Sequence, residues 1–175
     1  MGKESEAKVE DAKKLKEEVD LLVQREVDEL SRVLDAKDDL VPLVLRFHLL
    51  TEYQLERLIL NKVPRGDRVL EGGGLTYYQK LMLVSSLEAA ADNAVSALKA
   101  LNKLRNRCSH DRDVQITLSH VESLGRPFGG EFIQLKAKHG KAVATLLKST
   151  FVLIYTPLIH ETVTIELLAS RGESR

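Results

Sequence analysis

The sequence predicts an all-α protein, a bundle of five or six helices. Apolar residues recur at intervals of three or four over most of the chain, with charged residues between them, which is the spacing of amphipathic helices. The 10 glycines and 4 prolines fall mostly in a few short segments, where they punctuate the helical pattern. Aromatic residues make up only 5% of the chain, which suits a helical bundle and weakens the case for a stacking platform for single-stranded RNA.

Local signals place the ends of several helices. The predicted helices cover residues 6–36, 41–63, 76–90, 92–109, 117–124 and a last long segment that starts near residue 142. Asp39 is placed to cap the second helix, and Pro42 fits its first turn. Thr76 and Gln79 have the spacing of a capping box. Asp92 or Asn93 is expected to cap the helix that follows.

The connections are predicted from glycine and proline. Pro64–Gly74 and Gly125–Gly130 are expected to be loops. Residues 113–118 are compatible with a short extended segment, which is the one exception to the helical pattern. Pro157 lies inside the last helix and is expected to kink it, because proline has no amide hydrogen to donate.

Length and charge favour one domain, over residues 1–170. The charged turns 1–10 and the tail 170–175 are expected to fray. The 26 basic residues balance the 26 acidic ones, which argues against a generally basic nucleic-acid binder but not against a local basic site. Residues 1–40 hold 8 basic and 13 acidic residues, so residues 41–175 hold 18 and 13 and carry a net charge of +5.

Cysteine usage and hydropathy favour a cytoplasmic protein. Cys108 is the single cysteine of the sequence, so no intramolecular disulfide can form, as is usual in a reducing compartment. The N-terminal segment is charged and lacks an apolar signal core. The longest apolar segment, Phe151–Ile159, is too short to span a bilayer and contains a proline, so no membrane association is expected.

The segment LRNRCSH, at residues 104–110, concentrates polar residues at the end of an apolar helix. Arg105, Asn106 and His110 are the candidate catalytic residues. Asn106 and His110 are four apart and share a helix face. Arg105 and His110 are five apart, roughly 140° around an ideal helix. They converge only if the helix loosens at its end or if a second subunit completes the site.

The pattern Arg105-Asn106-x-x-x-His110, preceded by leucines at the end of a helix, resembles the signature of the HEPN superfamily. A long first helix, an apolar second helix, a loop and then the motif helix also resemble the HEPN order. This resemblance covers residues 10–165. It implies a metal-independent endoribonuclease that needs no cofactor and acts on RNA as a homodimer. It also implies a role as a toxin or defence component, with an antitoxin protein as a further partner.

A looser similarity, in length and in the segment RPFGG at residues 126–130, links the chain to the mannitol operon repressor family. That branch implies a non-catalytic helical regulator or binding module. The sequence offers no basic recognition helix of the helix-turn-helix kind to support DNA binding.

The residue types suit RNA cleavage without metal. The 2′-hydroxyl of RNA is itself a nucleophile, and the imidazole of His110 titrates near neutral pH and can act as general base or acid. Arg105 keeps its charge and can clamp the phosphorane, while Asn106 can orient the phosphate. The alternative is that the motif residues have only a structural role, because the helix dipole alone favours basic side chains at a helix C-terminus.

Four further residues are candidates for support or substrate binding: Arg107, Arg112, His48 and Glu52. His48, Glu52 and Glu56 recur every four residues on an otherwise apolar helix. Because glutamate is usually exposed, we interpret these three residues as a solvated strip on the surface of the helix. The alternative is that this strip faces the motif helix, with Glu52 bonded to Arg105 or Arg107.

Other chemistries fit less well. Cys108 and His110 have no second pair at zinc-ligand spacing, so no metal site is predicted. Cys108 has no ordered cysteine–histidine–acid arrangement and is interpreted as a packing residue. The glycine run at residues 72–74 lacks the lysine and hydroxyl residue of a P-loop.

Overall fold

A computed structural model describes residues 2–34 and 39–172, with the side chains of the first helix described from Glu10 onward. These residues form eight α-helices, one 3₁₀ turn and no strand. The helices are α1 (Gly2–Leu34), α2 (Leu40–Lys62), α3 (Gly66–Gly73), α4 (Tyr77–Ser86), α5 (Asp92–His110), α6 (Leu118–Gly125), α7 (Gly130–His139) and α8 (Val143–Ser170). Met1 and residues 173–175, part of the termini expected to fray, lie outside the described residues.

The all-α class is confirmed, but the eight helices of the described residues exceed the predicted five or six. The two additional helices, α3 and α7, lie in or directly after segments interpreted as glycine loops. Glycine is tolerated at helix ends, and Gly129 and Gly140 flank α7 with φ of 53° and 59°, so here glycine begins and ends a helix rather than preventing one. Residues 114–117 have no regular secondary structure, and Thr117, with an extended backbone at φ −109° and ψ 167°, is the N-cap residue of α6.

Most helix ends follow from local chemistry. The Asp39 side chain accepts a hydrogen bond from the amide of Val41, and Thr76 and Gln79 form the predicted capping box of α4. The start of α5 differs from the prediction. Ala91 is its N-cap residue and makes no side-chain cap, while Asp92 and Asn93 already lie inside the helix.

The core is centred on α8, which packs against α1, α2, α5, α6 and α7. Phe47 of α2 stacks on Phe151 of α8 with ring centroids 3.9 Å apart, and both rings are fully buried. The buried apolar residues of the described chain form one continuous cluster. Burial of this surface is the main force that holds the helices together.

An ion-pair network closes one side of this core. The guanidinium of Arg57 on α2 lies 2.8 Å from Glu26 on α1 and 2.6 Å from Glu166 on α8. Hydrogen bonding to Glu166 raises the pKa of Arg57, so the charge is permanent. Gln54 bonds both Arg57 and the hydroxyl of Tyr155, whose pKa burial raises to about 12. The network therefore joins three helices and satisfies the polar groups between them.

One expectation about hydropathy needs correction. Within the described residues, α8 is one helix of 28 residues, long and apolar enough by length and composition to cross a membrane, with a mean hydropathy of 1.4 over its best window. The apolar segment Phe151–Ile159 alone is too short for this, but the helix continues through Pro157 and beyond the segment on both sides. Five other helices pack against α8 in this fold, and 39% of that window is buried.

The placement of α5 determines where the motif lies. Its apolar face is buried against α2, α4, α6 and α8; this face comprises Ala94, Val95, Ala97, Leu98, Leu101 and Leu104. The last turn extends beyond this buried stretch. The polar residues of the motif therefore project from the surface on a helix that the core holds rigidly.

Candidate functional site

The motif occupies the last two turns of α5, as predicted. The helix remains regular to His110, where the amide of Asp111 bonds the carbonyl of Arg107 and closes the last turn. The helix does not loosen, so Arg105 and His110 stay roughly 140° apart around its axis. Asn106 and His110 are exposed and Arg105 is half-buried. Within one chain, the residues proposed as catalytic do not all point into one site.

Arg105 and Asn106 line a cleft of about 430 Å³ between α2, the start of α4 and α5. His110 is not among its lining residues. The other walls come from α2 and from the residues that open α4; they are His48, Glu52, Thr76, Tyr77, Tyr78 and Asn102. The cleft thus brings together four predicted site residues from two helices that are far apart in the sequence.

Arg105 is the available cation of this cleft. Its Nη1 donates to Asn106 Oδ1 at 3.3 Å, and no carboxylate of the described residues forms an ion pair with it. A guanidinium has five donor hydrogens, so most of its capacity remains for a ligand. Arg57, by contrast, is held between two glutamates and is committed to structure. The cleft is therefore suited to an anion that accepts several hydrogen bonds.

His48 is buried in the wall of the cleft, at 3% exposure. Its ring stacks on Tyr77 with centroids 3.9 Å apart, and its Nε2 lies 3.2 Å from Asn102 Oδ1. Tyr77 in turn shares a hydrogen bond of 3.0 Å with Thr51. Burial lowers the pKa of His48; the nearby charge of Arg105 adds to this, and the Asn102 bond and Glu52 oppose it. His48 is consequently neutral near pH 7.

The solvated-strip interpretation of His48, Glu52 and Glu56 is wrong for the first two residues. His48 is buried, and Glu52 faces α4, where Lys80 Nζ lies 2.8 Å from Glu52 and 2.6 Å from Glu56. Burial lowers the pKa of Lys80, but its bonds to the two glutamates outweigh burial and raise it. The alternative interpretation, a bond from Glu52 to Arg105 or Arg107, is not what the structure shows, because Glu52 pairs with Lys80 and Arg105 is left without a carboxylate partner among the described residues.

The other basic residues of the motif lie outside the cleft. Arg107 Nη1 is 3.1 Å from His120 Nε2, on the side of α5 that faces α6. Burial and the charge of Arg107 lower the pKa of His120, and His120 Nδ1 accepts a hydrogen bond of 3.1 Å from the backbone amide of Thr117. Arg112 is exposed in the turn after α5. Arg107 therefore supports the α5–α6 junction, and Arg112 adds charge beyond the helix end.

Cys108 is half-buried against the core, as the packing interpretation expected. Burial raises the pKa of its thiol, which lowers the fraction of reactive thiolate at neutral pH. Cys108 is thus unsuited to act as a nucleophile. Among the described residues, no group of three or more histidine, cysteine or acidic side chains is arranged to hold a metal ion.

Sequence reasoning missed Asn102, Lys80 and Tyr78. Asn102 carried a usable signal, because it lies four residues before Asn106 and so shares its face. Lys80 and Tyr78 carried none, because their roles depend on how α4 packs against α2. The capping box that starts α4 was predicted, but its position at the mouth of the cleft was not.

A second, larger cavity of about 680 Å³ lies between α7 and α8. Its lining is largely apolar and includes Leu135, Val152, Leu153 and Pro157, together with polar residues such as Lys138. This cavity contains no residue of the motif. Its size alone would favour this cavity as a binding site. The cleft lined by Arg105 and Asn106, called the motif cleft below, instead has the convergent polar groups that a catalytic site requires.

Comparison of the chain with protein-family models, with curated proteins and with solved structures finds no match.

Proposed function

We propose that the chain is a metal-independent endoribonuclease of the HEPN type, a helical bundle that acts as a homodimer in the cytoplasm as a toxin or defence component. The observation that supports this most is the free guanidinium of Arg105, held with Asn106 in a polar cleft at the end of α5. An unpaired arginine in a concave site is a strong receptor for a phosphate.

The cleavage step needs a phosphate clamp and proton transfer. The 2′-oxygen of the ribose attacks the adjacent phosphorus, and the bond from phosphorus to the 5′-oxygen breaks, which leaves a 2′,3′-cyclic phosphate. One group takes the proton of the 2′-hydroxyl and another protonates the departing 5′-oxygen. We assign His110 to one of these transfers, Arg105 to the charge on the phosphorane and Asn106 to its orientation.

The position of His110 on α5 favours a site made by two subunits. Arg105 and His110 are separated by roughly 7.5 Å along the helix axis, at a rise of 1.5 Å per residue. If two copies of α5 pair antiparallel about a twofold axis near residues 107–108, Arg105 of one chain lies at the same level along the paired helices as His110 of the partner subunit. Isologous pairing of this kind is the commonest oligomer geometry. The dimer then repeats the composite site twice.

The test is cleavage of total RNA in the presence of EDTA. The wild-type protein should cleave and leave 2′,3′-cyclic phosphate ends, and a substrate with a 2′-deoxyribose at the cleaved position should resist. His110→Ala and Arg105→Ala should each reduce the rate by about 10²-fold or more. His160→Ala and Arg68→Ala, exposed residues outside the motif, are the matched controls and should retain full activity. A strict requirement for Mg²⁺, or an active His110→Ala variant, would contradict the assignment.

A second candidate function is that of a non-catalytic regulator or binding module, as the similarity to the mannitol operon repressor family implies. The apolar cavity between α7 and α8 favours it, because its size lies within the range of small-molecule sites. On this alternative, the RNA assay gives no cleavage, and Val152→Arg, a substitution in the lining of the cavity, abolishes binding of the small molecule.

A further inference from the structure

The motif cleft has an exposed aromatic wall that the proposed chemistry does not use. Tyr78, on the first turn of α4, lines the cleft together with Arg105 and keeps 50% of its surface exposed. It makes no side-chain hydrogen bond among those of the described residues. Tyr77, its neighbour, is buried, and its hydroxyl is bonded to Thr51. Tyr78 is thus the tyrosine of the cleft whose ring is available to a ligand.

The size of the cleft limits what that ligand is. A volume of about 430 Å³ is near the lower end of the range for small-ligand sites, about 300–1,000 Å³. It suits one nucleotide better than a base pair. A base inside a duplex is stacked and paired, and extracting it costs a few kcal/mol, so an unpaired base enters such a cleft most readily.

The chemistry of the two walls matches the two ends of a nucleotide. Arg105 and Asn106 on α5 offer donors to a phosphate, and the ring of Tyr78 on α4 offers a face to a base. Base–aromatic stacking does not depend on base identity, because every base has a π face. We infer that the cleft binds one unpaired nucleotide of a single-stranded RNA, with its base stacked on Tyr78 and an adjoining phosphate on Arg105. This inference rests on the proposed endoribonuclease function and names its substrate class and the residue that binds the base.

Binding of a fluorescent, uncleavable probe tests the inference. The probe is a short single-stranded oligodeoxynucleotide with 2-aminopurine at one central position, which lacks the 2′-hydroxyl nucleophile and loses fluorescence when its base stacks. The chain has no tryptophan, so protein fluorescence does not obscure the signal. The same strand annealed to its complement measures the preference for unpaired bases.

Four variants separate stacking from charge. Tyr78→Ala should weaken binding about 5- to 100-fold and abolish the quenching, while Tyr78→Phe should retain both because the ring remains. Arg105→Ala should weaken binding and reduce its dependence on salt, but the bound probe should still be quenched. Tyr53→Ala is the matched control, since Tyr53 is 57% exposed and lies outside the cleft. It should bind like the wild type.

Three outcomes would overturn the inference: equal affinity of Tyr78→Ala and Tyr53→Ala, equal affinity for single strand and duplex, or loss of the dimer in Tyr78→Ala, which would make Tyr78 a subunit contact. Failure of the proposed function looks different. If the wild-type protein binds the probe and quenches its fluorescence but does not cleave RNA in EDTA, the nucleotide site is supported and the nuclease proposal is contradicted. If the wild-type protein cleaves RNA but Tyr78→Ala binds the probe normally, the nuclease proposal stands and the inference about Tyr78 is contradicted.

Discussion

His48 on α2 and Asn102 on α5 are joined by a hydrogen bond of 3.2 Å between Nε2 and Oδ1. Because an amide oxygen only accepts, the neutral ring of His48 carries its proton on Nε2. The bond lies one helical turn before Arg105 and Asn106. It therefore fixes α2 against α5 at the base of the cleft and sets the position from which Arg105 projects.

The first prediction concerns pH. Burial lowers the pKa of His48 below its unfolded value of 6.5, so the unfolded chain binds a proton more readily than the folded one. Stability from this group is fully present above about pH 6.5 and is lost as the pH falls from there through the folded pKa. Denaturant midpoints should therefore drop as the pH is lowered through this window.

Two variants identify the group responsible. His48→Gln should flatten much of this dependence, and the remainder should come from His120, whose pKa is also lowered. Asn102→Asp places a carboxylate beside His48, which should raise its pKa and weaken the loss of stability in acid. If His48→Gln leaves the pH profile unchanged, His48 is not the buried neutral group described here.

The second prediction concerns Lys80, whose ammonium is shared by Glu52 and Glu56. Lys80→Met should lower the free energy of unfolding by about 2 kcal/mol, because it leaves two partly buried carboxylates without a cation. Lys14→Met, which removes an exposed pair with Glu10, is the control and should have little effect. Urea unfolding of both variants measures the difference, and equal stabilities would show that the Lys80 pairing contributes nothing.

The third prediction uses two glycines of α3 with opposite surroundings. A Cβ at Gly66 would lie 2.6 Å from the carbonyl oxygen of Ile59, so Gly66→Ala should cost about 1–3 kcal/mol as α3 moves away from α2. A Cβ at Gly72 would meet nothing within 4 Å, and Gly72→Ala should be neutral or stabilise by up to about 1 kcal/mol. Thermal unfolding of the pair is the measurement. A tolerated Gly66→Ala would contradict the close contact between α2 and α3.

The fourth prediction concerns Cys108. Because its thiol is half-buried with a raised pKa, it should react slowly with a thiol reagent in the folded protein and rapidly after unfolding. Cys108→Ala should keep RNA cleavage at the wild-type level. Loss of cleavage with an intact fold would instead assign a chemical role to this thiol.

Local sequence signals determine much of this fold. Periodic apolar residues predicted all four long helices, and the capping box at Thr76 and Gln79 predicted the start of α4. The helices α3 and α7 were missed because glycine was interpreted as a loop former. Phe132, which anchors α7, is buried by tertiary contacts that the local pattern does not show.

The candidate site was predictable only where one helix holds it. Arg105, Asn106 and His110 were found on α5 because their spacing is local. Because α4 packs on α2, Lys80 pairs with Glu52, which the sequence offered only as an alternative partner of Arg105 or Arg107, and Tyr78 lines the cleft. Contacts between helices distant in the sequence leave no periodic signal, so the free state of Arg105 became visible only in the structure.

We propose a composite ribonuclease site made by two subunits, and complementation between two inactive variants tests this proposal most directly. Arg105→Ala and His110→Ala are each expected to be inactive alone. After subunit exchange, about half of the dimers contain one chain of each kind, and each of these has one complete site out of two. The mixture should therefore recover about one quarter of the wild-type rate of RNA cleavage in EDTA. A mixture that exchanges subunits and remains inactive would contradict the composite site.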